Sequence, residues 1–212
     1  MILRWGDERA LDEHALDDTS LPRESSGPIT LHSGFDERWQ LLDAPERFAE
    51  WAALVVGRFP DTRDWVTTDE PNGWAVERYA GGWRWLETRS LLRALDHQLA
   101  AHVLAADVLR RATSSSATVE LPLVTHDPYE LSRLLDDILV ARDQGIDRGE
   151  IGEFLTRQRT EHERAHPART PLARLRRRIV ASVLPLDQAL PRAIAAAYET
   201  PVVPGAAEPV PG

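Results

Sequence analysis

Along this 212-residue chain, segments with the hydrophobic pattern of β-strands alternate with segments that have the hydrophobic spacing of α-helices. Short β-branched runs typical of strands occupy residues 29–32, 65–68 and 117–124. Between them, apolar residues recur at helical spacing in residues 48–59 and 92–109. The order strand, helix, strand, helix, strand predicts parallel βαβ units.

Capping residues and breakers indicate where several of these elements begin and end. Asp43 offers a helix N-cap, Pro45 lies in the first turn, and Glu46 follows Asp43 at the spacing of a capping box. Residues 72–88 are rich in aromatic residues and glycine, and we predict a loop there.

Beyond residue 126 the pattern becomes helical throughout. One helix is opened by Asp127-Pro128 and ended by Gly145, and later helices begin at Thr170-Pro171 and at Pro185, the last ending near Tyr198. Residues 201–212 hold four prolines and two glycines, and we predict a disordered tail.

Composition removes several classes of function. A net charge of −9 argues against a nucleic-acid partner. The chain has no cysteine and no lysine, which excludes disulfides, thiolate chemistry and a Schiff base through an internal lysine. No apolar run approaches the roughly 20 residues of a membrane span, and the N-terminus becomes acidic too early for a signal peptide. We expect a cytoplasmic protein with no membrane partner.

Residues 65–71, Trp-Val-Thr-Thr-Asp-Glu-Pro, place two carboxylates and a proline directly after a β-branched run. This stretch resembles the Thr-Phe-Asn-Glu-Pro signature of family 1 glycoside hydrolases. Other short segments are similar to that family in the same order along about residues 3–112: residues 3–5, 11–17, 30–32, 38–39, 46–52 and 58–59, followed by Tyr79, Gly82, His97 and His102.

The resemblance implies a fold and an activity. We expect an α/β fold in which residues 1–126 form a partial (βα) TIM-type barrel with parallel strands, and residues 127–200 form a helical part packed on it. In that family two carboxylates flank the scissile bond, about 5 to 5.5 Å apart for retention. Glu70 matches the acid/base position, so the resemblance implies β-glycosidase-type hydrolysis of O-glycosyl bonds with Glu70 as general acid/base.

The chain also departs from the family's pattern. Asp69 stands where the family has an amide, and an ionised carboxylate only accepts hydrogen bonds. The sugar-binding histidine of the family falls at Ser33, one position after His32. The nucleophile motif Ile/Val-Thr-Glu-Asn-Gly is not found. An alternative is therefore a catalytically degenerate barrel that binds a small molecule or partner, or serves natural-product metabolism, without hydrolysing glycosides.

A glycoside-like small molecule is the expected ligand. Asp69 and His32 are candidate substrate-binding residues, together with three tryptophans, Trp74, Trp83 and Trp85. The tryptophans could form a sugar-stacking platform or could cover the barrel mouth as ordinary packing. Since an open half-barrel has free strand edges, we expect either that the C-terminal helices cover these edges or that the chain forms a homodimer.

The histidine pairs are more typical of packing and of solvated surface than of a metal site. His97 and His102 are five residues apart on a helix and share a face poorly. His162 and His166 lie in a stretch rich in Arg and Glu without a third ligand at a convincing spacing. We expect no metal and no cofactor. The arginines of residues 174–178 indicate a solvated helix face, with binding of an anionic partner as the alternative.

Overall fold

The structure, a computed structural model, describes residues 2–5, 28–32, 37–80, 88–113, 117–123, 129–183 and 190–200. These residues form a mixed α/β structure that is mostly helical and contains a small four-stranded parallel sheet. The chain divides into two compact units. Unit 1 comprises Met1–Asp69, Ala101–Pro122 and Thr200–Gly212, and unit 2 comprises Glu70–Ala100 and Leu123–Glu199.

The described strands and helices have the following bounds. The strands are β1 (Ile2–Arg4), β2 (Ile29–His32), β3 (Asp64–Val66) and β4 (Thr118–Glu120). A 3-10 helix spans Glu37–Gln40. The α-helices are α1 (Ala44–Arg58), α2 (Pro71–Ala80), α3 (Thr88–Ala112), α4 (Tyr129–Ser132), α5 (Leu134–Asp143), α6 (Ile151–Ala165), α7 (Pro171–Val183) and α8 (Pro191–Glu199).

The sheet of unit 1 joins its strands in the order in which they occur along the chain. Strand β1 pairs with β2, β2 with β3 and β3 with β4, and all three pairings are parallel. The register places Leu3 beside Leu31 and Val66 beside both Thr30 and Glu120. The predicted parallel arrangement is thereby confirmed.

One face of this sheet is buried and the other is more open, because successive side chains of a strand point to opposite faces. Ile29, Leu31 and Trp65 are at most 1% exposed. Their neighbours Thr30 and Val66 are half-buried. The observed strands are also shorter than predicted, since β3 stops at Val66 and β4 at Glu120.

An aromatic cluster fills the core of unit 1. The ring centroids of Trp5 and Trp39 are 5.0 Å apart, and Phe48 meets Trp5 edge-on at 5.5 Å. Trp51 extends the cluster with a centroid distance of 5.6 Å to Phe48. Offset and edge-on pairs of this kind add to the free energy gained by burying the rings. The cluster joins the residue after β1, the 3-10 helix and α1.

Helix α1 forms where the capping residues predicted it, but Asp43 acts differently from the prediction. The carboxylate of Asp43 makes no capping hydrogen bond to the backbone. It pairs instead with the guanidinium of Arg47 at 2.7 Å. Phe48, Trp51 and Val55 are buried as the periodicity indicated.

The prediction of a loop at residues 72–88 was wrong for its first part, because residues 71–80 form helix α2. Pro71 occupies the first helical position, where the missing N–H is no loss. Asn72, Ala75 and Tyr79 are buried at helical spacing along one face. This spacing outweighs the aromatic and glycine content that favoured a loop. Residues 81–87 lie outside the described part of the chain.

Unit 2 contains a group of packed helices in which α5 contacts α6 and α8, and α4 contacts α5 and α6. Gly145 ends α5 with a φ of +72°, a conformation that glycine adopts without strain. The hydroxyl of Thr170 caps α7 by accepting a hydrogen bond from the Ala173 N–H at 3.1 Å. Both residues were predicted to mark these helix ends, and both predictions are confirmed.

Some predictions concern residues outside the described part of the chain. They are the helix starts at Asp127-Pro128 and Pro185, the boundary at residue 126 and the disordered tail at residues 201–212. Within the described ranges, none of the helices combines the length and the apolar character needed to cross a membrane.

A buried carboxylate of α3 caps the last helix of unit 2. Asp96 is 5% exposed, and its Oδ1 accepts hydrogen bonds from the N–H groups of Arg192 at 3.0 Å and Ala193 at 2.9 Å. These N–H groups belong to the first turn of α8, where no backbone acceptor is available. Burial raises the pKa of Asp96 to about 6, and the two N–H groups oppose this rise.

We predict that Asp96→Asn changes the pH dependence of stability. The pKa of Asp96 is about 6 in the folded protein against an ordinary value of 3.8, so its stabilising contribution is complete below pH 3.8 and is lost as pH rises through 6. The unfolding free energy of the wild type, relative to the variant, should fall by about 3 kcal/mol between these limits. Urea unfolding measured across this pH range tests the prediction, and a constant difference would contradict it.

Candidate functional site

The carboxyl ends of the four strands meet at one edge of the unit 1 sheet, because all the strands are parallel. Trp5 follows β1, His32 ends β2, Thr67 follows β3 and Glu120 ends β4. Catalytic and binding groups of parallel α/β folds lie at this edge of the sheet. This edge of the sheet is therefore the expected position of a functional site.

A buried hydrogen bond holds the end of β3 to helix α3. Thr67 Oγ1 lies 2.7 Å from His102 Nδ1, and the two residues are 0% and 7% exposed. The backbone N–H of Thr67 also donates to the Glu120 carbonyl at 3.1 Å. The chain leaving β3 is thus bonded both to β4 and to α3.

His102 is held in its neutral form. Burial lowers the pKa of His102 to about 4, and the positive charge of Arg110 lowers it further. A neutral imidazole can either accept the Thr67 O–H or donate to it, depending on the tautomer. This buried, hydrogen-bonded position agrees with the packing role predicted for His102.

Thr68 and Asp69 follow Thr67 at this edge and differ in exposure. Thr68 is 2% exposed, and its hydroxyl has no hydrogen-bond partner among the residues that the structure describes. Asp69 is exposed. Buried polar atoms without partners are uncommon in folded proteins, so the Thr68 hydroxyl marks a local energetic defect beside the candidate carboxylates.

Glu70 begins unit 2 and has a strained backbone. Its φ is +47°, and it is the one non-glycine residue in the described ranges with a positive φ. Its carbonyl accepts a hydrogen bond from the Trp74 N–H at 3.0 Å, which starts helix α2. Its side chain is exposed. Strain of this kind is disfavoured by about 1 to 3 kcal/mol and is often found at functional sites.

The other predicted site residues are placed as follows. His32 and Asp69 belong to unit 1 at the carboxyl edge of the sheet. Trp74 belongs to unit 2, where it is half-buried on α2 and meets Tyr79 edge-on at 5.8 Å. Trp83 and Trp85 lie outside the described residues. Trp74 therefore packs on its own helix and does not lie in the loop that we predicted.

The chemical capacity of this region rests on carboxylates and hydroxyls. Glu70 directly precedes Pro71, the first residue of α2. In the described ranges, no group of three or more His, Cys, Asp or Glu side chains could hold a metal ion. Acid/base chemistry and hydrogen bonding to a polar ligand are within its reach.

A second polar cluster, in unit 2, has a structural explanation. The Tyr129 hydroxyl donates to Asp137 Oδ2 at 2.7 Å, and Arg159 lies 3.4 Å from Glu130. Burial raises the pKa of Tyr129, and it also raises the pKa of Glu130. Each buried group has a partner, so the cluster joins α4 to α5 and α6 without offering an open site.

An open cleft of 670 Å³ lies elsewhere in unit 2, at the start of α6 and of α8. Its lining includes Arg148, Gly152, Thr156 and Ile194, and none of the predicted site residues. The Arg148 guanidinium is paired with Glu199 at 3.1 Å. The cleft therefore has no connection with the chemistry predicted for Glu70.

Sequence reasoning missed the contact between Thr67 and His102 and the buried positions of Thr68 and Asn72. His102 lies in register with Leu95, Leu99 and Leu109 on the apolar stripe of α3, and this spacing was the available signal. The side-chain amide of Asn72 donates to the Leu131 carbonyl. No local pattern indicates that bond, because its partners are 59 residues apart.

Comparison with known proteins does not add a relative. No family model, no curated protein and no solved structure matches the chain.

We predict that His102→Asn removes a stability component that depends on pH. The pKa of His102 is about 4 in the folded protein against an ordinary value of 6.5, so its contribution to stability is complete above pH 6.5 and is lost as pH falls through 4. The wild type should lose about 3 kcal/mol relative to the variant over this interval. The change in stability with pH is opposite in direction to that predicted for Asp96. Urea midpoints of the wild type and the variant are measured from pH 4 to pH 7, and a constant difference between them would contradict the prediction.

We predict that Glu70→Gly stabilises the fold, since glycine adopts a positive φ without strain. The unfolding free energy should rise by about 1 kcal/mol. The matched control is Glu77→Gly, an exposed position inside α2, which should lower stability by about 1 kcal/mol. Thermal unfolding of both variants gives the comparison. If both variants lose the same unfolding free energy, the backbone of Glu70 is not strained.

Proposed function

We propose that the unit 1 sheet and its connecting helices are part of a (βα) barrel related to family 1 glycoside hydrolases. Sequential pairing of parallel strands is the strand order of such barrels. Helices follow β2 and β3 before the next strand begins, as in a βα repeat. The four described strands correspond to half of the eight that a complete barrel contains.

We propose further that Glu70 acts as a general acid/base in hydrolysis of a β-glycoside. The observation that carries the proposal is the strained backbone of Glu70, between the carboxyl end of β3 and the first residue of α2. A non-glycine residue keeps a positive φ only where its surroundings impose it. The exposed side chain is accessible to a ligand.

In the proposed reaction, the Glu70 carboxylic acid gives its proton to the glycosidic oxygen as the bond from that oxygen to the anomeric carbon breaks, and a second carboxylate forms a bond to the anomeric carbon. The Glu70 carboxylate then removes a proton from the water that displaces this second carboxylate and releases the sugar. In unit 1, Asp69 and His32 are proposed to bind sugar hydroxyls. Trp74, in unit 2, stays a candidate for contact with a sugar ring. The second carboxylate that this chemistry requires is not assigned to a residue.

A second candidate function is ligand binding without hydrolysis. It is favoured by the missing nucleophile motif, since a retaining glycosidase needs two carboxylates about 5 to 5.5 Å apart. Asp69 in place of the family's amide supports the same alternative, because the carboxylate cannot donate to a sugar. A homodimer also stays a prediction.

We predict that Glu70→Gln abolishes hydrolysis of an aryl β-glycoside with a poor leaving group, because the amide cannot give up a proton. Loss of a general acid lowers kcat by about 10² to 10⁴-fold. The measurement compares kcat and KM of the wild type and the variant, with circular dichroism to show that both are folded. The matched control is Glu77→Gln, an exposed glutamate two turns further along α2, which should leave kcat unchanged.

The outcomes separate the two candidate functions. A kcat that Glu70→Gln leaves unchanged would exclude Glu70 as the acid. If the wild type binds a glycoside, as measured by tryptophan fluorescence, but does not cleave it, the second candidate is supported and the first is wrong. If the wild type neither binds nor cleaves any member of a panel of aryl glycosides, both candidate functions are excluded.

A further inference from the structure

Helix α7 exposes leucine side chains that most helices would bury. Leu172 is 73% exposed and Leu175 is 54% exposed. They are three residues apart and therefore lie on one side of the helix. Ile179 and Val183 continue the same spacing in the sequence. The helix thus has an apolar stripe whose described members face solvent.

The other sides of α7 carry positive charge in an otherwise acidic chain. Residues 164–186 contain six arginines and no Asp or Glu, so that the rest of the chain has a charge of −15 against −9 for the whole. Four of these arginines lie within α7. Such asymmetry indicates a local affinity for anions that the net charge conceals.

The charges of α7 are available for a partner. Arg174 and Arg178 are exposed, and within the described ranges their guanidinium groups form no ion pair or hydrogen bond. The side of the helix that is turned inward is a different one. It includes Ala173 and Arg177, which are half-buried, and Arg177 donates to the His166 carbonyl at 2.6 Å.

We propose that α7 is a docking surface for an anionic lipid bilayer, with its leucines inserted at the headgroup boundary and its arginines on the lipid phosphates. A helix with an apolar stripe flanked by cations is the usual element for lying in a membrane surface. The exposed leucines favour lipid over nucleic acid, whose phosphates would leave them in water. Lipid is also favoured over a protein groove, because both leucines and unpaired arginines are presented outward together.

This proposal replaces the expectation of no membrane partner, which rested on the lack of a spanning segment. A peripheral helix needs no such segment. The remainder of the chain has a net charge of −15, so its overall charge does not favour an anionic surface. Binding would therefore fix the orientation of unit 2 on the membrane, and it does not depend on the activity proposed for Glu70.

The test is sedimentation of the full chain with vesicles of phosphatidylcholine alone or mixed with phosphatidylglycerol. We expect binding to the mixed vesicles only, weakening as salt is added. The double change Leu172→Ser with Leu175→Ser should lower the partition coefficient at least tenfold. Arg174→Gln with Arg178→Gln should lower it about tenfold or more.

Matched controls come from exposed residues elsewhere in the chain. Leu42 and Leu54 are 72% and 62% exposed, and changing both to Ser should leave binding intact. Arg89 and Arg93 on α3 have the same four-residue spacing as Arg174 and Arg178, and changing both to Gln should have little effect. Circular dichroism confirms that each variant is folded.

Three results would overturn the proposal. The first is no binding to the mixed vesicles at low salt, and the second is equal binding to both kinds of vesicle. The third is binding that the leucine changes leave intact, since it would show only electrostatic adsorption. If light scattering finds a dimer that is lost in the leucine variant and vesicles are not bound, a second copy of the chain covers the leucines instead.

Discussion

Hydrogen bonds between buried polar groups connect segments of this protein that are far apart in the sequence. Thr67 meets His102 across 35 residues, and Asp96 meets Ala193 across 97. An unpaired buried polar group is unfavourable by about 1 to 3 kcal/mol. The rest of each unit therefore has to pack in a way that lets these contacts form. The apolar residues form the buried faces of the helices, and the polar contacts join the end of β3 to α3 and α3 to the start of α8.

The segment of residues 67–70 contains both a hydrogen-bonded residue, Thr67, and a residue with a strained backbone, Glu70. Thr67, three residues earlier, is bonded to β4 and to α3, while Glu70 itself adopts a positive φ and Thr68 has a buried hydroxyl without a partner among the described residues. Within unit 1, the hydrogen bonds of Thr67 hold the backbone next to Thr68, and a well-held backbone can keep a neighbouring group in an unfavourable environment. Functional residues are often held in this way.

Much of the fold could be predicted from the sequence, and the failures have identifiable causes. The helical faces around Phe48 and Leu99 and the parallel arrangement of β2, β3 and β4 followed from hydrophobic period, which did not indicate β1. Helix α2 was missed because glycine and aromatic content was weighted above the buried spacing of Asn72, Ala75 and Tyr79. At the site, Glu70 was selected by resemblance. Its backbone conformation and the partner of Thr67 depend on contacts distant in sequence, which no local pattern encodes.

The bond between Asp96 and the first turn of α8 has a consequence for biosynthesis. A ribosome adds residues from the N-terminus, so the carboxylate emerges almost a hundred residues before the N–H groups that receive it. Until then Asp96 has no α8 to bind, and water solvates it more favourably than the protein interior does. Unit 2 therefore cannot reach its final packing during most of translation. Its completion has to wait until α8 has left the ribosome, because a nascent chain halted before residue 193 lacks the Ala193 N–H that Asp96 binds.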